Sequence, residues 1–200
     1  METFKDDIKV YDPVNINNGM YYSKIMHKDF EISIQTEKTN LSINKDKNKA
    51  KIIVDDKINS FIKNVSKAVI EITSEKSEHF FGKSITVEDC ESIYKEALVD
   101  NTLHCFFDED TYFYRSKNEK VELENLDDEL EGIALLKCNA VVYTKHSFFI
   151  RWEISQFKMK RNKKVEDTHL KEYSIKDLPE HEYPTDGDPL AKKLEELTLF

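Results

Sequence analysis

Residues 132–160 read GIALLKCNAVVYTKHSFFIRWEISQFKMK, and the fold turns on this stretch. Two runs of strand formers, Gly132–Tyr143 and Phe148–Lys160, flank the polar tetrapeptide Thr144-Lys145-His146-Ser147. Two such runs around a short polar break make an antiparallel hairpin. In the second arm Phe148, Ile150, Trp152 and Ile154 alternate with Phe149, Arg151, Glu153 and Ser155. The first set therefore faces a core and the second faces away from it. Past Gln156 the apolar positions switch parity to Phe157 and Met159. A bulge at Ser155 or Gln156 accounts for the switch, and bulges are a device by which sheets curl into barrels.

Upstream, Met20–Met26 reads as a strand, and Phe30, Ile32 and Ile34 alternate with Glu31, Ser33 and Gln35 as another. These two are expected to pair across His27-Lys28-Asp29. Ala50–Val54, Thr102–Phe107 and Thr111–Tyr114 are further strands, the last two joined by Asp108-Glu109-Asp110. Between them the period changes. Ile58, Phe61, Ile62, Val65, Ala68, Val69 and Ile72 follow helical spacing, with Asp55 or Asp56 placed to cap. A second helix is expected over Val87–Leu98, capped by Thr86, with Val87, Cys90, Ile93, Tyr94, Ala97 and Leu98 on its apolar stripe. No internal repeat is present.

A chain of 200 residues fits one domain or one domain with a tail. Its 12 Phe, 9 Tyr and 1 Trp supply large side chains for a core, while 4 Gly and 4 Pro exclude collagen-like or low-complexity material. No run approaches the ~18–20 apolar residues of a membrane helix. The mixed, acidic opening METFKDD is unlike a signal peptide. The 3 Cys (Cys90, Cys105, Cys138) are odd in number and widely spaced, which excludes a fully paired disulfide framework and points to a reducing compartment.

The net charge of −9 conceals a block pattern. Residues 137–164 hold eight Lys and Arg against Glu153, a net +7. Residues 108–131 carry −7 and residues 176–200 carry −4. A basic block between acidic ones is a patch with a purpose or a solvated face.

Enzymatic signatures are missing. There is no Walker A, no G-x-G-x-x-G and no G-x-S-x-G, and Phe81-Gly82-Lys83-Ser84 lacks the upstream glycine of a phosphate loop. His104 and Cys105 are adjacent on a strand and point to opposite faces, so they do not share an ion, and Cys138 and His146 read as core and surface residues. Asp108-Glu109-Asp110 has no second acidic motif to complete a nuclease. The expectation is no enzyme, no cofactor and no metal. Aromatic residues interleaved with cations on strands carry more physics. Tyr21, Tyr22, Lys24 and Lys28 lie on the early strands. Lys137, Tyr143, Lys145, Phe149, Arg151, Lys158, Lys160 and Arg161 lie on or just past the last hairpin. Exposed rings offer stacking platforms and the cations a phosphate track, which suits unpaired nucleic acid. Residues 176–188, with Pro179, Pro184, Gly187 and five acids, read as a flexible acidic tail. Leu197, Leu199 and Phe200 give that tail an apolar anchor for partners.

The order of these features resembles the single-stranded DNA-binding proteins of large eukaryotic DNA viruses and related cytoplasmic linear plasmids. Asn17-Asn18-Gly19 entering a strand and then Ile34-Gln35-Thr36 is similar to that family's opening. Phe80-Phe81-Gly82-Lys83 before a helix is similar to its aromatic-Gly-Lys element, and Gly132 through Trp152-Glu153-Ile154-Ser155-Gln156-Phe157-Lys158 to its closing hairpin. The longer acidic stretch at 108–131 departs from the pattern. The resemblance implies a β-rich α+β fold, an OB-like barrel of five or six strands with two inserted helices. The resemblance covers about residues 10–162; since the strand and helix pattern fades after Lys164, the expected division is an OB-like nucleic-acid-binding domain over residues 1–165 and an acidic flexible tail over 166–200. The resemblance also implies sequence-tolerant binding of single-stranded DNA in replication, repair or recombination, without catalysis. The tail would recruit replication proteins such as a polymerase or helicase and compete for the groove. The setting implied is a viral or plasmid replication site in the cytoplasm, with the nucleus as the alternative; no membrane partner is expected and a homo-oligomer is left open. The competing reading is a protein–protein adaptor without nucleic-acid binding.

Overall fold

The computed structural model describes residues 4–17, 19–117 and 119–160. The alternating runs are strands and the 3.6-period stripe is a helix. In chain order the elements are β1 (Ile8–Val10), β2 (Val14–Asn17), β3 (Met20–His27), β4 (Ile32–Gln35), β5 (Thr39–Asn44) and β6 (Lys49–Ile53). Next come α1 (Asp56–Glu75), α2 (Ser77–Phe81), α3 (Val87–Ile93), β7 (Leu98–Val99) and β8 (Thr102–Phe106). The last are β9 (Tyr112–Ser116), β10 (Glu119–Val121), β11 (Glu129–Tyr143) and β12 (Phe148–Met159).

Five strands close a barrel. β11 pairs with β5, β5 with β6, β6 with β8, β8 with β12, and β12 returns to β11. These pairings are antiparallel except β8 with β12, which is parallel. The first barrel strand is bent. β4 pairs with Leu135–Cys138 of β11 and β5 with Glu129–Gly132. Between them Thr36 donates its N–H to the Ala134 carbonyl at 2.8 Å, and its hydroxyl accepts from the Ala134 N–H at 2.9 Å. The fold is a β-rich α+β, OB-like barrel, with extra strands around it. β3 widens the sheet beyond β11 and carries β1 and β2 on its far edge. β9 lies parallel to the C-terminal half of β12, and β10 folds back on β9.

Several boundaries differ from the sequence reading. β3 and β4 do not form a hairpin ladder. Apart from a bridge between His27 and Phe30, both dock on β11, whose length receives them side by side. β5 was not foreseen, although Leu41 and Ile43 alternate with polar residues there. Three helices, rather than two, lie between β6 and β8. Asp55 caps α1, its carboxylate accepting from the Ile58 N–H at 2.8 Å. Ile58, Ile62, Val65, Val69 and Ile72 of α1 join Phe148, Trp152 and Phe157 in one core. The unforeseen α2 ends at Gly82 in the left-handed region (φ 69°). α3 stops at Ile93 because Tyr94 turns extended, bridges to Phe148 and donates its hydroxyl to Ser66 at 2.9 Å.

The long hairpin carries two bulges. One lies at Ser155, where Ile154 faces Leu136 and Gln156 faces Leu135. The other lies at Asn139, between the Cys138–Trp152 and Ala140–Arg151 pairs. Among the described residues no helix is long and apolar enough to cross a membrane. The expected domain boundary at 165 and the acidic tail lie outside the described residues.

Candidate nucleic-acid interface

On β6, Lys49, Lys51 and Ile53 point out while Ala50 and Ile52 point in. On β8, Thr102, His104 and Phe106 point out while Leu103 and Cys105 point in. Register sets Lys49 beside Phe106, Lys51 beside His104 and Ile53 beside Thr102. β12 turns Phe149, Arg151 and Glu153 to the same outer surface. Alternation thus brings cations and rings from three strands onto one face.

Phe106 and Phe149 stack with centroids 6.4 Å apart and planes 28° apart. The Arg151 guanidinium carbon lies 4.6 Å from the Phe106 centroid and the Lys49 ammonium 5.7 Å from it. Both are cation–π distances. Arg151 is fixed from two sides. Its Nε donates to Glu153, and its Nη1 donates to the Tyr22 hydroxyl at 3.3 Å. The other Glu153 oxygen accepts from the Asn139 amide, which the β11 bulge turns outward. Partial burial opposes the Arg151 charge, but Glu153 and Tyr22 outweigh it and raise its pKa above the ordinary arginine value.

Of the residues singled out in the sequence, Tyr22, Phe149 and Arg151 come together here. Lys24 joins in the neighbouring row, since Ala140 pairs with Lys24 on one side and Arg151 on the other. Lys137 is half-buried on β11 opposite Glu153. Lys145 is exposed in the β11–β12 turn. Tyr21 points to the opposite face from Tyr22 and is 40% exposed. Lys28 sits beyond the far end of β3, paired with Asp7 at 3.7 Å. Lys158 lies further along β12, beside Tyr114. Lys160 donates to Glu131 at 3.0 Å. Tyr143 is a correction: it is 3% exposed and belongs to the core. The bulge at Asn139 flips the parity of β11, so Val141 and Tyr143 turn inward. The Tyr143 hydroxyl lies 3.0 Å from that of Thr73, and burial pushes its pKa up to about 12. Arg161, Leu197, Leu199 and Phe200 lie outside the described residues.

Sequence reasoning missed Lys49, Lys51, His104 and Phe106. The two lysines left a signal in the period-2 run Lys47, Lys49, Lys51, whereas Phe106 left none and His104 reads in the sequence only as a candidate metal ligand. His104 stands exposed on the outer face and Cys105 is buried behind it. Among the described residues no group of three or more His, Cys, Asp or Glu is gathered as a metal site. Burial pushes the Cys105 thiol up to about 12 and raises Cys138 and Cys90 as well, so these sulfurs are inert thiols.

Compared with known proteins, residues 37–177 match the profile described as "Family of unknown function (DUF5871)". The match covers well over half of the chain, and the chain belongs to that family. No curated protein and no solved structure gives a significant match.

Proposed function

We propose that this DUF5871 member binds single-stranded nucleic acid, DNA foremost, across the outer face of β6, β8 and β12, and does no chemistry on it. The observation that carries this reading is the Phe106–Phe149 stack with Lys49 and Arg151 both set against the Phe106 ring. A base adds to such a stack whatever its identity, and phosphates fall against Lys49, Lys51 and Arg151. OB-like barrels bind oligonucleotides on the face of their second and third strands, which here are β6 and β8. The resemblance of the chain to viral and plasmid single-strand binders supports the same reading, as does the basic block at 137–164. The acidic residues 176–200 compete for this face by charge and recruit replication partners. A protein–protein adaptor is the alternative, but it has no use for cations on an aromatic face.

Fluorescence anisotropy with labelled oligo(dT), a duplex and an RNA at several salt concentrations tests the proposal. Tight binding of oligo(dT) over duplex is expected. Each phosphate contact on a single strand contributes about −0.7 to the slope of log K against log salt. Changing Lys49, Lys51 and Arg151 together to Ala should therefore flatten the slope by about 2. No oligo(dT) binding at low salt favours the adaptor.

A further inference from the structure

The outer surface of β12 continues past the Ser155 bulge. There Gln156 pairs with Tyr112 and Lys158 with Tyr114, while Phe157 and Phe113 pair on the core side. Tyr112 and Tyr114 therefore stand on the same outer surface as Phe149 and Arg151. Their rings stack with centroids 6.3 Å apart and planes 27° apart. Lys120, from β10, places its ammonium 4.4 Å from the Tyr112 centroid. Tyr112 is 38% exposed, whereas Tyr114 is buried beneath it. The arrangement repeats that of Phe106, Phe149 and Arg151: a stacked aromatic pair with a cation on a ring. Arg151 and Lys158 are separated by roughly 20 Å along the strand at ~3.3 Å per residue.

We infer that Tyr112, with Tyr114 behind it and Lys120 and Lys158 beside it, is a second base-stacking station for the same single strand. The inference rests on the single-strand reading above and extends it. The strand runs along β12 from Phe149 to Tyr112, so the β9–β10 hairpin lengthens the binding track. A strand short enough to occupy the first station does not reach the second. OB folds cover ~4–16 nucleotides, a range wide enough to separate the two cases. The acidic loop Asp108-Glu109-Asp110 is separated from Tyr112 by Thr111 alone, so this station acts by stacking more than by charge.

The test compares Tyr112→Ala, Phe149→Ala and the unchanged full chain on oligo(dT) of about 4 and about 16 nucleotides, the two ends of that range. Tyr112→Ala should weaken the long oligonucleotide by roughly 5- to 150-fold, as a lost base–aromatic stack does, and leave the short one unchanged. Phe149→Ala should weaken both. The Tyr112 loss should persist at high salt, while the loss from Lys49→Ala fades. Tyr112→Leu keeps the apolar bulk without the ring and should behave like Tyr112→Ala; Tyr112→Phe should bind normally. If Tyr112→Ala and Tyr112→Leu bind both lengths normally while Phe149→Ala does not, the second station is overturned and the first stands. If the unchanged chain binds neither length, the single-strand reading itself falls and takes the second station with it.

Discussion

At the scale of single residues, position on the barrel wall decides between stability and binding. Trp152 is 0% exposed inside the barrel, and Phe149, three positions earlier, is half-buried on the outside. Trp152→Ala should cost about 3–5 kcal/mol of stability. Phe149→Ala should leave the thermal midpoint nearly unchanged and reduce oligonucleotide affinity by about 1–3 kcal/mol. Thermal melts and anisotropy on the two variants separate the effects; the opposite pattern would invert the two faces. This assignment was legible, because strict alternation needs no tertiary information. Tyr143 was not legible, since a bulge at a polar, exposed Asn139 leaves no mark in the hydrophobic pattern. His27 gives a pH effect. It is 6% exposed, its ring 5.6 Å from Phe4 and 6.2 Å from Phe61. Burial lowers its pKa below the ordinary 6.5; Asp7, 3.9 Å away, opposes the shift and Lys28 adds to it. The unfolded chain thus takes up a proton before the folded one does. The His27 contribution is complete above pH ~6.5 and is lost as pH falls toward the lower folded value. His27→Gln should flatten that part of a denaturation-against-pH curve, and an unchanged slope would refute the assignment.

At the scale of elements, β11 organises the molecule, since β3, β4, β5 and β12 all pair with it. At Gly132 it leaves no room for a side chain against β12. A Cβ there would stand 2.1 Å from the Lys158 carbonyl oxygen and 2.8 Å from the Phe157 ring. Backbone cannot yield as a flexible side chain would, so Gly132→Ala should destabilise by at least ~1–3 kcal/mol in chemical denaturation; a neutral result would mean that the hairpin has slack at its open end. The hairpin, α1 and its Asp55 cap were legible because local periodicity and capping chemistry specify them. The partners of β3 and β4 were not, because Tyr22, Lys24 and Ile34 show which face a strand turns inward and not which neighbour it joins. The same limit hid half of the candidate interface. Phe149 and Arg151 could be placed on an outer face from their own strand, whereas Phe106 and Lys49 reach them only through barrel closure.

At the scale of the whole molecule, charge is segregated. The candidate face gathers Lys49, Lys51 and Arg151, while residues 108–131 and 176–200 hold net −7 and −4. Screening weakens an acidic segment's competition for a basic face. A chain ending at residue 175 should bind oligo(dT) more tightly at low salt, with the advantage shrinking as salt rises. On the proposed function it should also lose the partner recruitment assigned there to residues 176–200. Partner loss with no DNA affinity to change is what the adaptor reading expects, and equal DNA affinity of the two chains at every salt would remove the competition.

Among the described residues β8 meets β12 through a single register pair, Phe106 with Glu153, whereas the other four seams are multi-residue ladders. The barrel therefore has a built-in place to breathe. Sub-global opening follows the weakest line of contacts, so amides of β8 and of the adjoining stretch of β12 should exchange with deuterium before those of α1. The Phe106–Phe149 stack lies across that line, and a ligand resting on it acts as a clasp that stabilises the closed form by mass action. Saturating oligo(dT) should slow exchange most in the peptides holding Phe106 and Glu153. Equal slowing over the whole chain would place the clasp elsewhere.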